Sequence, residues 1–382
     1  MNILIAPDSF KESLNAKEVS LNIKKGLKKS KLKCNIEILP MADGGEGTVE
    51  SLVDATDGKI INTEVTGPLG NKIEAFFGVL GNDTTAVIEM AAASGLPLLT
   101  EEQKNPEKTT TYGTGELIEE ALDYGCNEII IGIGGSATND LGVGMAQALG
   151  ASFKDETGNE ISFGGQELSK ISKIDLRNLD KRISKTDIKV ACDVDNPLYG
   201  KKGAAYIYGP QKGASKEQIK RLDDGLKNSA RVIKKDLNKE IDYMPGAGAA
   251  GGLGGGLVAF LEAELKPGIE IVIEASKIHE ILKENIDLVI TGEGRLDNQT
   301  VHGKTPIGVA RAAKEYNIPV IAICGSVGNN ANEVLEHGID SYFSILNSPT
   351  TFKEAKEVTP SLIESLSLNL GNLIDKLNIG VK

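Results

Sequence analysis

Acidic side chains within glycine-rich turns are the residues of this chain whose types and spacing point most directly to chemistry. They form four clusters, which are Asp8 in "APDSFK", Asp43 and Glu46 in "MADGGEG", Asp193 and Asp195 in "CDVDNP", and Glu293, Arg295 and Asp297 in "TGEGRLD". Three of the four directly follow predicted strands, which is where α/β proteins bind their ligands. A carboxylate in such a turn often only shapes the turn, but four clusters in one chain favour a functional site.

Two glycine-rich segments each approximate the fingerprint of a dinucleotide-binding loop. They are "GIGGSATND", with Gly134, Gly135 and Ser136, and "MPGAGAAGGLGGG", with Gly246, Gly248, Gly251 and Gly252. A nicotinamide site also needs an acid that closes the next strand. Asp155 has the right spacing but lies in a predicted hairpin turn, and the second segment follows a predicted helix. Nicotinamide binding is therefore the weaker alternative.

A bare backbone that leads into a helix holds phosphate oxygens through its free N–H groups. Both glycine-rich segments precede a predicted helix, in "TNDLGVGMAQAL" and in "GLVAFLEAEL". For the second segment, a hinge or close helix packing is the alternative reason for the glycines. The carboxylates would add Mg²⁺ ligands and a proton acceptor, and Lys11 and Arg295 would neutralise charge. Together these residues indicate phosphoryl transfer.

Other catalytic systems have less support in the sequence. Histidine occurs only three times, at distant positions, which disfavours a histidine-rich metal site. The segment "NQTVHGKT", residues 298–305, resembles a P-loop but lacks its leading glycine and the preceding strand. Lys304 is then either a phosphate contact or a residue of a surface turn.

The elements that must position these residues alternate between strand and helix at both ends of the chain. Strands such as "NILIAPD" and "IDLVITGEG" are apolar throughout, as in a parallel sheet covered on both faces. Residues 59–91 instead contain short extended stretches separated by turns, which is typical of hairpins, and residues 151–162 form a further predicted hairpin. The sequence predicts an α/β fold in which a Rossmann-like doubly wound domain, residues 1–60 and 286–382, is interrupted by a mixed α/β domain, residues 61–285.

Composition excludes several classes of protein. The 382 residues are 40% hydrophobic and carry a net charge of −12, which argues against a nucleic-acid partner. No apolar run reaches the length of a membrane span, and the first residues lack the basic region of a signal peptide. The four cysteines are far apart, without a CxxC pair, so we expect free thiols and a cytoplasmic location.

Eight motifs, in order along the chain, carry a resemblance to a known family. They are "APDSFKESLNA", "PMADGGEGT", "IEMAAASGL", "TTYGTGELI", "GIGGSATND", "ACDVDNPL", "PGAGAAGGLG" and "DLVITGEGRLDNQTVHGKTPIGVA". Over nearly its whole length the sequence resembles the glycerate kinase type 1 family. The resemblance implies a Rossmann-like domain interrupted by a second α/β domain. It also implies phosphorylation of D-glycerate by ATP, with 2-phosphoglycerate as the usual product in bacterial members.

The implied reaction suggests a role for each candidate residue. Asp193 is the first candidate for the base that accepts the hydroxyl proton, and Asp8 is the second. Lys11 is the third predicted catalytic residue. We expect Lys11 and Arg295 to bind the glycerate carboxylate, with Ser9 and Asp195 as further substrate contacts. The predicted Mg²⁺ ligands are Glu293, Asp297 and Asp43. The residues assigned to ATP phosphates or the substrate are Gly134, Gly135, Ser136, Gly246, Gly248, Gly251 and Gly252.

Two residues depart from the family pattern, because Glu12 and Leu141 occupy positions that are usually glycine. Both lie close to predicted site loops, and neither departure removes a polar group. The alternatives are an NAD(P)-dependent oxidoreductase that acts on a small hydroxy acid and a non-catalytic two-lobed binding protein. We expect a monomer or a homodimer.

Overall fold

The computed structural model describes residues 1–377, and within them the chain forms two compact units. Unit 1 consists of Met1–Asp43, Glu50–Asp57 and the chain from Ile269 onward, whereas unit 2 consists of Gly44–Val49 and Gly58–Gly268. Unit 1 is therefore built from both ends of the chain. The predicted domain boundaries at residues 60 and 286 stay a prediction.

Thirteen strands and twelve α-helices are found in the described residues. The strands are β1 (Asn2–Ile5), β2 (Asn35–Ile38), β3 (Lys59–Thr66), β4 (Lys72–Val79), β5 (Thr85–Glu89), β6 (Glu128–Gly132), β7 (Ser152–Lys154), β8 (Lys173–Asp175), β9 (Asp187–Ala191), β10 (Glu264–Lys266), β11 (Leu288–Leu296), β12 (Val320–Val327) and β13 (Ser341–Ser344). The helices are α1 (Ala16–Lys29), α2 (Thr48–Ala55), α3 (Ala91–Ser94), α4 (Tyr112–Tyr124), α5 (Val143–Ala148), α6 (Ala204–Tyr208), α7 (Lys216–Leu237), α8 (Leu253–Leu261), α9 (Gly268–Ala275), α10 (Ile278–Leu282), α11 (Thr305–Lys314) and α12 (Phe352–Leu377).

The sheet of unit 1 has the strand order β13-β12-β11-β1-β2, and every neighbouring pair in it is parallel. The chain runs outward from β1 to β2 on one side and from β11 to β13 on the other, so the strand order reverses between β1 and β11. Ligands of open α/β sheets bind at such a switch point, outside the carboxyl ends of the strands. The fold therefore directs attention to the residues that follow β1 and β11.

The core of unit 1 is made by apolar side chains of the sheet and of helices α1 and α12. Its buried members include Ile3, Ile290, Ile23 and Ile363. Helix α1 begins directly after Asn15, because the side chain of Asn15 accepts from the backbone N–H of Glu18 and the Glu18 side chain in return accepts from the backbone N–H of Asn15. This reciprocal capping satisfies donors that a helix start leaves free.

The main sheet of unit 2 is mixed, with the order β10-β9-β6-β5-β4-β3. Strands β3, β4 and β5 are antiparallel neighbours, which confirms the hairpins predicted over residues 59–91, and the remaining pairs are parallel. The hairpin predicted at residues 151–162 is present in short form, because Lys154 and Glu160 form an antiparallel bridge and the backbone N–H of Ile161 donates to the carbonyl of Phe153 (2.9 Å). On its other side β7 pairs with β8 in a separate two-stranded sheet.

Within residues 1–377, no helix has the length and apolar character needed to cross a membrane.

Candidate functional site

Asp8 lies at the switch point of unit 1, three residues after the end of β1. Its backbone N–H donates to the carbonyl of Gly292 in β11 (2.8 Å), which fixes it between the two central strands. The side chain is 7% exposed. Its Oδ1 accepts from the backbone N–H of Ser9 (2.6 Å), and its Oδ2 accepts from the hydroxyl of Thr305 (2.7 Å), the first residue of α11.

Burial is the main reason why the pKa of Asp8 is raised from its ordinary value of 3.8 to about 7, and the negative charge of Asp43 adds to the effect. The hydrogen bonds from Thr305 and Ser9 and the charge of Lys11 act in the opposite direction. A general base works best when its pKa lies near the operating pH. Asp8 therefore has the position and the protonation behaviour of a proton acceptor.

Glu293 is the second buried acid of unit 1, on the strand that neighbours β1. Its Oε1 accepts from the hydroxyl of Thr300 (2.5 Å) and its Oε2 accepts from Nζ of Lys304 (3.3 Å). Burial raises the pKa of Glu293, whereas Thr300 and Lys304 act to lower it. The segment that resembled a P-loop thus places Lys304 against an acid of the cluster.

Arg295 and Asp297 form an ion pair at the end of β11, in which Nε of Arg295 donates to Oδ2 of Asp297 (3.1 Å). The arginine side chain is mostly exposed, so the pair contributes little stability. Lys11 is also exposed. Both cations that were predicted to bind the substrate carboxylate are therefore at the surface of unit 1, and their role stays a prediction.

The predicted metal ligands do not form an all-protein metal cage. In the described chain, no three His, Cys, Asp or Glu side chains are grouped so that they could hold one metal ion. Glu293 is bonded to Thr300 and Lys304, and Asp297 is bonded to Arg295 and to the backbone N–H of Gln299. Mg²⁺ usually takes one or two carboxylates and completes its shell with water and substrate phosphates. Asp43, whose charge acts on Asp8, fits that requirement as a single carboxylate ligand.

The first glycine-rich loop lies in unit 2, directly after β6. Gly134 and Gly135 are exposed, whereas Ser136 is 6% exposed. The Ser136 hydroxyl donates to the carbonyl of Ala250 (3.2 Å) and accepts from the backbone N–H of Thr138 (3.2 Å). An exposed bare backbone followed by an anchored serine is a surface that a phosphate can approach closely.

Asp140 is a buried acid that follows this loop and fixes it to the rest of unit 2. It is 2% exposed and accepts from the backbone N–H of Thr111 (2.8 Å), from the Thr111 hydroxyl (2.9 Å) and from the backbone N–H of Gly142 (3.3 Å). Burial raises the pKa of Asp140, and these hydrogen bonds oppose it. The acid therefore holds the loop in place.

The second glycine-rich segment packs tightly against its neighbours in unit 2. A Cβ added to Gly248 would lie 2.3 Å from the carbonyl oxygen of Pro197, and one added to Gly251, where φ is +73°, would lie 2.0 Å from that of Thr138. Gly246 and Gly252 also have positive φ. Close packing, the alternative stated for this segment, thus accounts for the glycines. Its contact with phosphate stays a prediction.

Lys212 is the residue of this region that sequence reasoning missed. It ends a short 3₁₀ helix, Pro210–Lys212, and is 1% exposed. Its Nζ donates to the carbonyl of Thr138 (2.6 Å) and to the hydroxyl of Ser136 (3.2 Å). Burial lowers the pKa of Lys212 to about 7, and the charge of Asp140 partly opposes the shift. No sequence motif distinguishes this lysine from the exposed ones.

Asp193 and Asp195 follow β9 at the surface of unit 2, and both are exposed. Asp193 accepts from the backbone N–H of Gly268 (2.9 Å). Asp8, by contrast, is buried at the switch point of unit 1. We therefore place Asp8 before Asp193 among the two candidate bases, and the assignment stays a prediction.

Glu12 and Leu141, the two departures from the family pattern, both have left-handed backbone conformations, with φ of +62° and +56°. Glycine adopts this conformation without a steric penalty, whereas other residues pay for it. The structure thus explains why glycine is favoured at both positions.

Glu12→Gly is expected to stabilise the protein by about 0.5–1 kcal/mol, because it removes the left-handed strain. The lost ion pair between Glu12 and Lys356 (3.2 Å) is exposed and contributes little. Chemical denaturation measures the change. Glu357→Gly is the matched control, because Glu357 is exposed within α12 and glycine there should destabilise the protein by about 1 kcal/mol. A loss of stability in Glu12→Gly would contradict the strain argument.

The oxidoreductase alternative fails on the context of both fingerprints. Asp155 does not close a strand of the main sheet, since it lies in the turn after β7 and accepts from the backbone N–H groups of Thr157 and Asn159. In the second segment, no strand of the described chain lies between the end of α7 and Gly246. Neither loop has the strand, helix and ribose-binding acid of a dinucleotide site.

Unit 1 has a buried acid at the switch point of its parallel sheet, and unit 2 has a glycine-rich loop whose Ser136 is bonded to a buried lysine. Phosphotransferases use groups of both kinds, for proton transfer and for phosphate binding. The comparisons with known proteins agree with this class. The model of the glycerate kinase family matches residues 3–375, and the chain belongs to this family.

Three relatives illustrate the match. The chain is 53% identical over 368 residues to the glycerate kinase of Halalkalibacterium halodurans, covering 96% of this chain and 97% of the relative. It is 54% identical over 355 residues to the glycerate 2-kinase of Escherichia coli (strain K12), covering 93% of each chain. A crystal structure described as glycerate kinase 2 from Salmonella typhimurium LT2 matches with a TM-score of 0.91 at 50% identity, covering 99% of both chains. The resemblance, the two-domain α/β fold and the kinase class predicted from the sequence are confirmed.

Proposed function

We propose that the protein transfers the γ-phosphoryl group of ATP to a hydroxyl of D-glycerate, forming phosphoglycerate and ADP. Membership of the glycerate kinase family supports a kinase that uses ATP. The relative from Escherichia coli is a glycerate 2-kinase, which favours 2-phosphoglycerate over 3-phosphoglycerate as the product. The observation that carries the proposal is Asp8, a buried carboxyl at the switch point with a pKa near neutrality.

Asp8 acts in this proposal as the general base. Its carboxylate takes the proton of the glycerate hydroxyl, whose oxygen forms a bond to the γ-phosphorus while the bond from that phosphorus to the bridging oxygen of ADP breaks. The hydrogen bonds from Ser9 and Thr305 hold the carboxylate in one orientation. Asp193, the first candidate from the sequence, is the alternative base.

The remaining roles follow the charge of the two substrates. Lys11 and Arg295 bind the glycerate carboxylate. Ser9 and Asp195 are further contacts of the substrate. The Gly134–Ser136 loop binds phosphate oxygens through its exposed backbone. Gly251 supports that loop, because its backbone packs directly on Thr138. For Gly246, Gly248 and Gly252, contact with phosphate stays the prediction.

Magnesium is proposed as the metal that accompanies ATP. Asp43, beside Asp8, is the first candidate ligand, and Glu293 and Asp297 are the other predicted ones. When bound, the ion neutralises charge on the transferring phosphoryl group. The carboxylate oxygens present are the hard ligands that this ion prefers.

Activity is expected to require Mg²⁺ or Mn²⁺ and to survive a zinc-selective chelator, because the candidate ligands are carboxylates rather than thiols or imidazoles. Titration of each metal into the metal-free enzyme measures the requirement. Full turnover after removal of all divalent metal would contradict this prediction.

The proposed compartment is the cytoplasm, because all four cysteines are free thiols and disulfides are rare in reducing compartments. A monomer or a homodimer stays the prediction for the oligomeric state.

A thermal-shift experiment tests the proposed function against its alternatives. ATP with Mg²⁺, D-glycerate and NADH are added separately to the full-length protein. Stabilisation by ATP with Mg²⁺ and by D-glycerate, followed by ADP formation only when both are present, supports the kinase. Stabilisation by NADH alone would support the oxidoreductase alternative. Binding of glycerate without ADP formation would indicate a binding protein.

A further inference from the structure

Lys212 is a buried cation whose hydrogen-bond acceptors are both neutral. Its Nζ donates to the Thr138 carbonyl and the Ser136 hydroxyl, and the side chain is 1% exposed. The nearest acid that acts on it, Asp140, directs its oxygens to Thr111 and Gly142. A buried ammonium group without an anionic partner is costly. The site therefore has positive charge available for an anion.

Asn139 gives a second, independent indication of a missing polar partner. The residue is 0% exposed, and in the described chain neither its Nδ2 nor its Oδ1 has a hydrogen-bond partner. Buried amide groups are nearly always bonded, and each one left unpaired costs about 1–3 kcal/mol. Asn139 follows Thr138, the acceptor of Lys212, so the unpaired amide and the unpaired cation belong to one small region of unit 2.

The Gly134–Ser136 loop connects this region to the surface. Gly134 and Gly135 are exposed, and Ser136, the next residue, is the one that Lys212 contacts. Asp140 and the close approach of Gly251 to Thr138 fix the loop from the protein side. A charge placed on Lys212 therefore acts on any group bound at the loop through a single hydroxyl.

We propose that Lys212, acting through Ser136 and together with Asn139, supplies the charge and polarity of an oxyanion subsite at the Gly134–Ser136 loop. The oxyanion is a phosphate of the nucleotide or the carboxylate of glycerate. The proposal rests on the proposed function, which provides these two ligands. Lys212 is a positioning residue in it, because it reaches the ligand through Ser136.

The subsite couples ligand binding to protonation. Lys212 has a pKa of about 7, set by burial and opposed by Asp140, while Ser136 and Thr138 are neutral. A bound oxyanion favours the charged ammonium form, so binding above pH 7 takes up a proton. For the same reason the oxyanion should bind more tightly below pH 7 than above it.

Lys212→Met is the direct test, because methionine has a similar length and no charge. Calorimetry on the full-length protein measures the binding of D-glycerate and of a non-hydrolysable ATP analogue separately, in buffers of different ionisation enthalpy, below and above pH 7. We expect the affinity for one of the two to fall by about ten- to a hundredfold and proton uptake with that ligand to disappear. The ligand that responds identifies the oxyanion. The melting temperature should change only modestly, because the variant removes a buried charge that lacks an anionic partner but leaves the Thr138 carbonyl without its donor.

Lys189→Met is the matched control in the same unit. Lys189 is largely covered but is paired with Glu128 (2.8 Å), so its loss should lower the melting temperature and leave both affinities unchanged. Ser136→Ala, which retains Lys212, should lower the affinity for the same ligand. This second variant provides the test if Lys212→Met folds poorly. Wild-type affinity for both ligands in Lys212→Met and Ser136→Ala would overturn the inference while the enzyme still phosphorylates glycerate. A wild-type protein that binds neither ligand would overturn the proposed function itself.

Discussion

Asp8→Asn is expected to lower kcat by about 10²–10⁴-fold, because asparagine retains the shape of aspartate but cannot accept the substrate proton. The asparagine side chain keeps an oxygen for the Ser9 N–H and gains an amide that can donate to Thr305, so the structure around it should persist. The Michaelis constants for ATP and D-glycerate should change little. Steady-state kinetics with both substrates varied measure these constants.

The same variant is expected to be more stable than the wild type at neutral and higher pH. Below pH 3.8, the ordinary value, Asp8 is protonated in both the folded and the unfolded protein. As the pH rises from there to about 7, the folded state holds the proton that the unfolded state has lost, so the wild type loses stability. Asparagine removes this penalty. The gain in melting temperature should therefore be largest above pH 7 and disappear as the pH falls towards 4.

Asp193→Asn is the matched control, because Asp193 is an exposed acid and the other candidate for the general base. Its kcat should fall less than about tenfold, which is below the contribution of a general base. The reverse pattern, with a large loss in Asp193→Asn and a small one in Asp8→Asn, would restore Asp193 as the base.

The pH dependence of turnover gives a separate prediction from the same pKa. Because the base acts in its deprotonated form, kcat measured with both substrates saturating should rise with pH through about pH 7. The rise with pH should be absent from the residual activity of Asp8→Asn. A wild-type profile that is flat through pH 7 would contradict the assignment.

Gly251→Val is expected to prevent unit 2 from folding, with a loss of about 4 kcal/mol or more. At φ of +73° a branched side chain is strained, and its Cβ would lie 2.0 Å from the backbone carbonyl of Thr138, which no rotamer change can relieve. Circular dichroism and denaturation of the purified variant measure the loss. A variant that folds normally but has a raised KM for ATP would instead make Gly251 a direct phosphate contact.

Two glycines of the same unit serve as controls for this prediction. Gly200 has φ of +90° and open space around it, so Gly200→Ala should cost only the left-handed penalty of about 1–2 kcal/mol. A Cβ on Gly134 would approach nothing closer than 3.7 Å, so Gly134→Ala should fold. Because that methyl group stands on the exposed loop, it should raise the KM for ATP or D-glycerate.

Local patterns in the sequence predicted much of the fold. Apolar runs predicted the parallel strands at both chain ends. The structure adds the reciprocal bonds between Asn15 and Glu18 that fix the start of α1. The ends of elements are harder to read from the sequence, since α12 begins at Phe352 and continues through Pro360. The unfavourable effect of Pro360 on the helix is outweighed by the other residues of α12.

Contacts between distant residues explain what the sequence could not predict at the site. The burial and orientation of Asp8 depend on Thr305, and the importance of Lys212 depends on Ser136 and Thr138. Neither pair shares a local motif, so the sequence gives no sign of the burial of Asp8 or of the contacts of Lys212. The order of Asp8 and Asp193 as candidate bases stays a prediction. The glycines of 246–252 were recognised, but only the folded chain shows how closely they approach Thr138 and Pro197.

Phosphorus NMR of the product formed from D-glycerate and ATP tests the central claim most directly. The proposed function predicts that the γ-phosphate signal of ATP is replaced by that of a phosphate monoester whose coupling to a single proton places it on carbon 2, with ADP formed in equal amount. Coupling to two protons would place the phosphate on carbon 3 and contradict the favoured product. The release of inorganic phosphate alone, or no change in ATP, would contradict phosphoryl transfer to glycerate altogether.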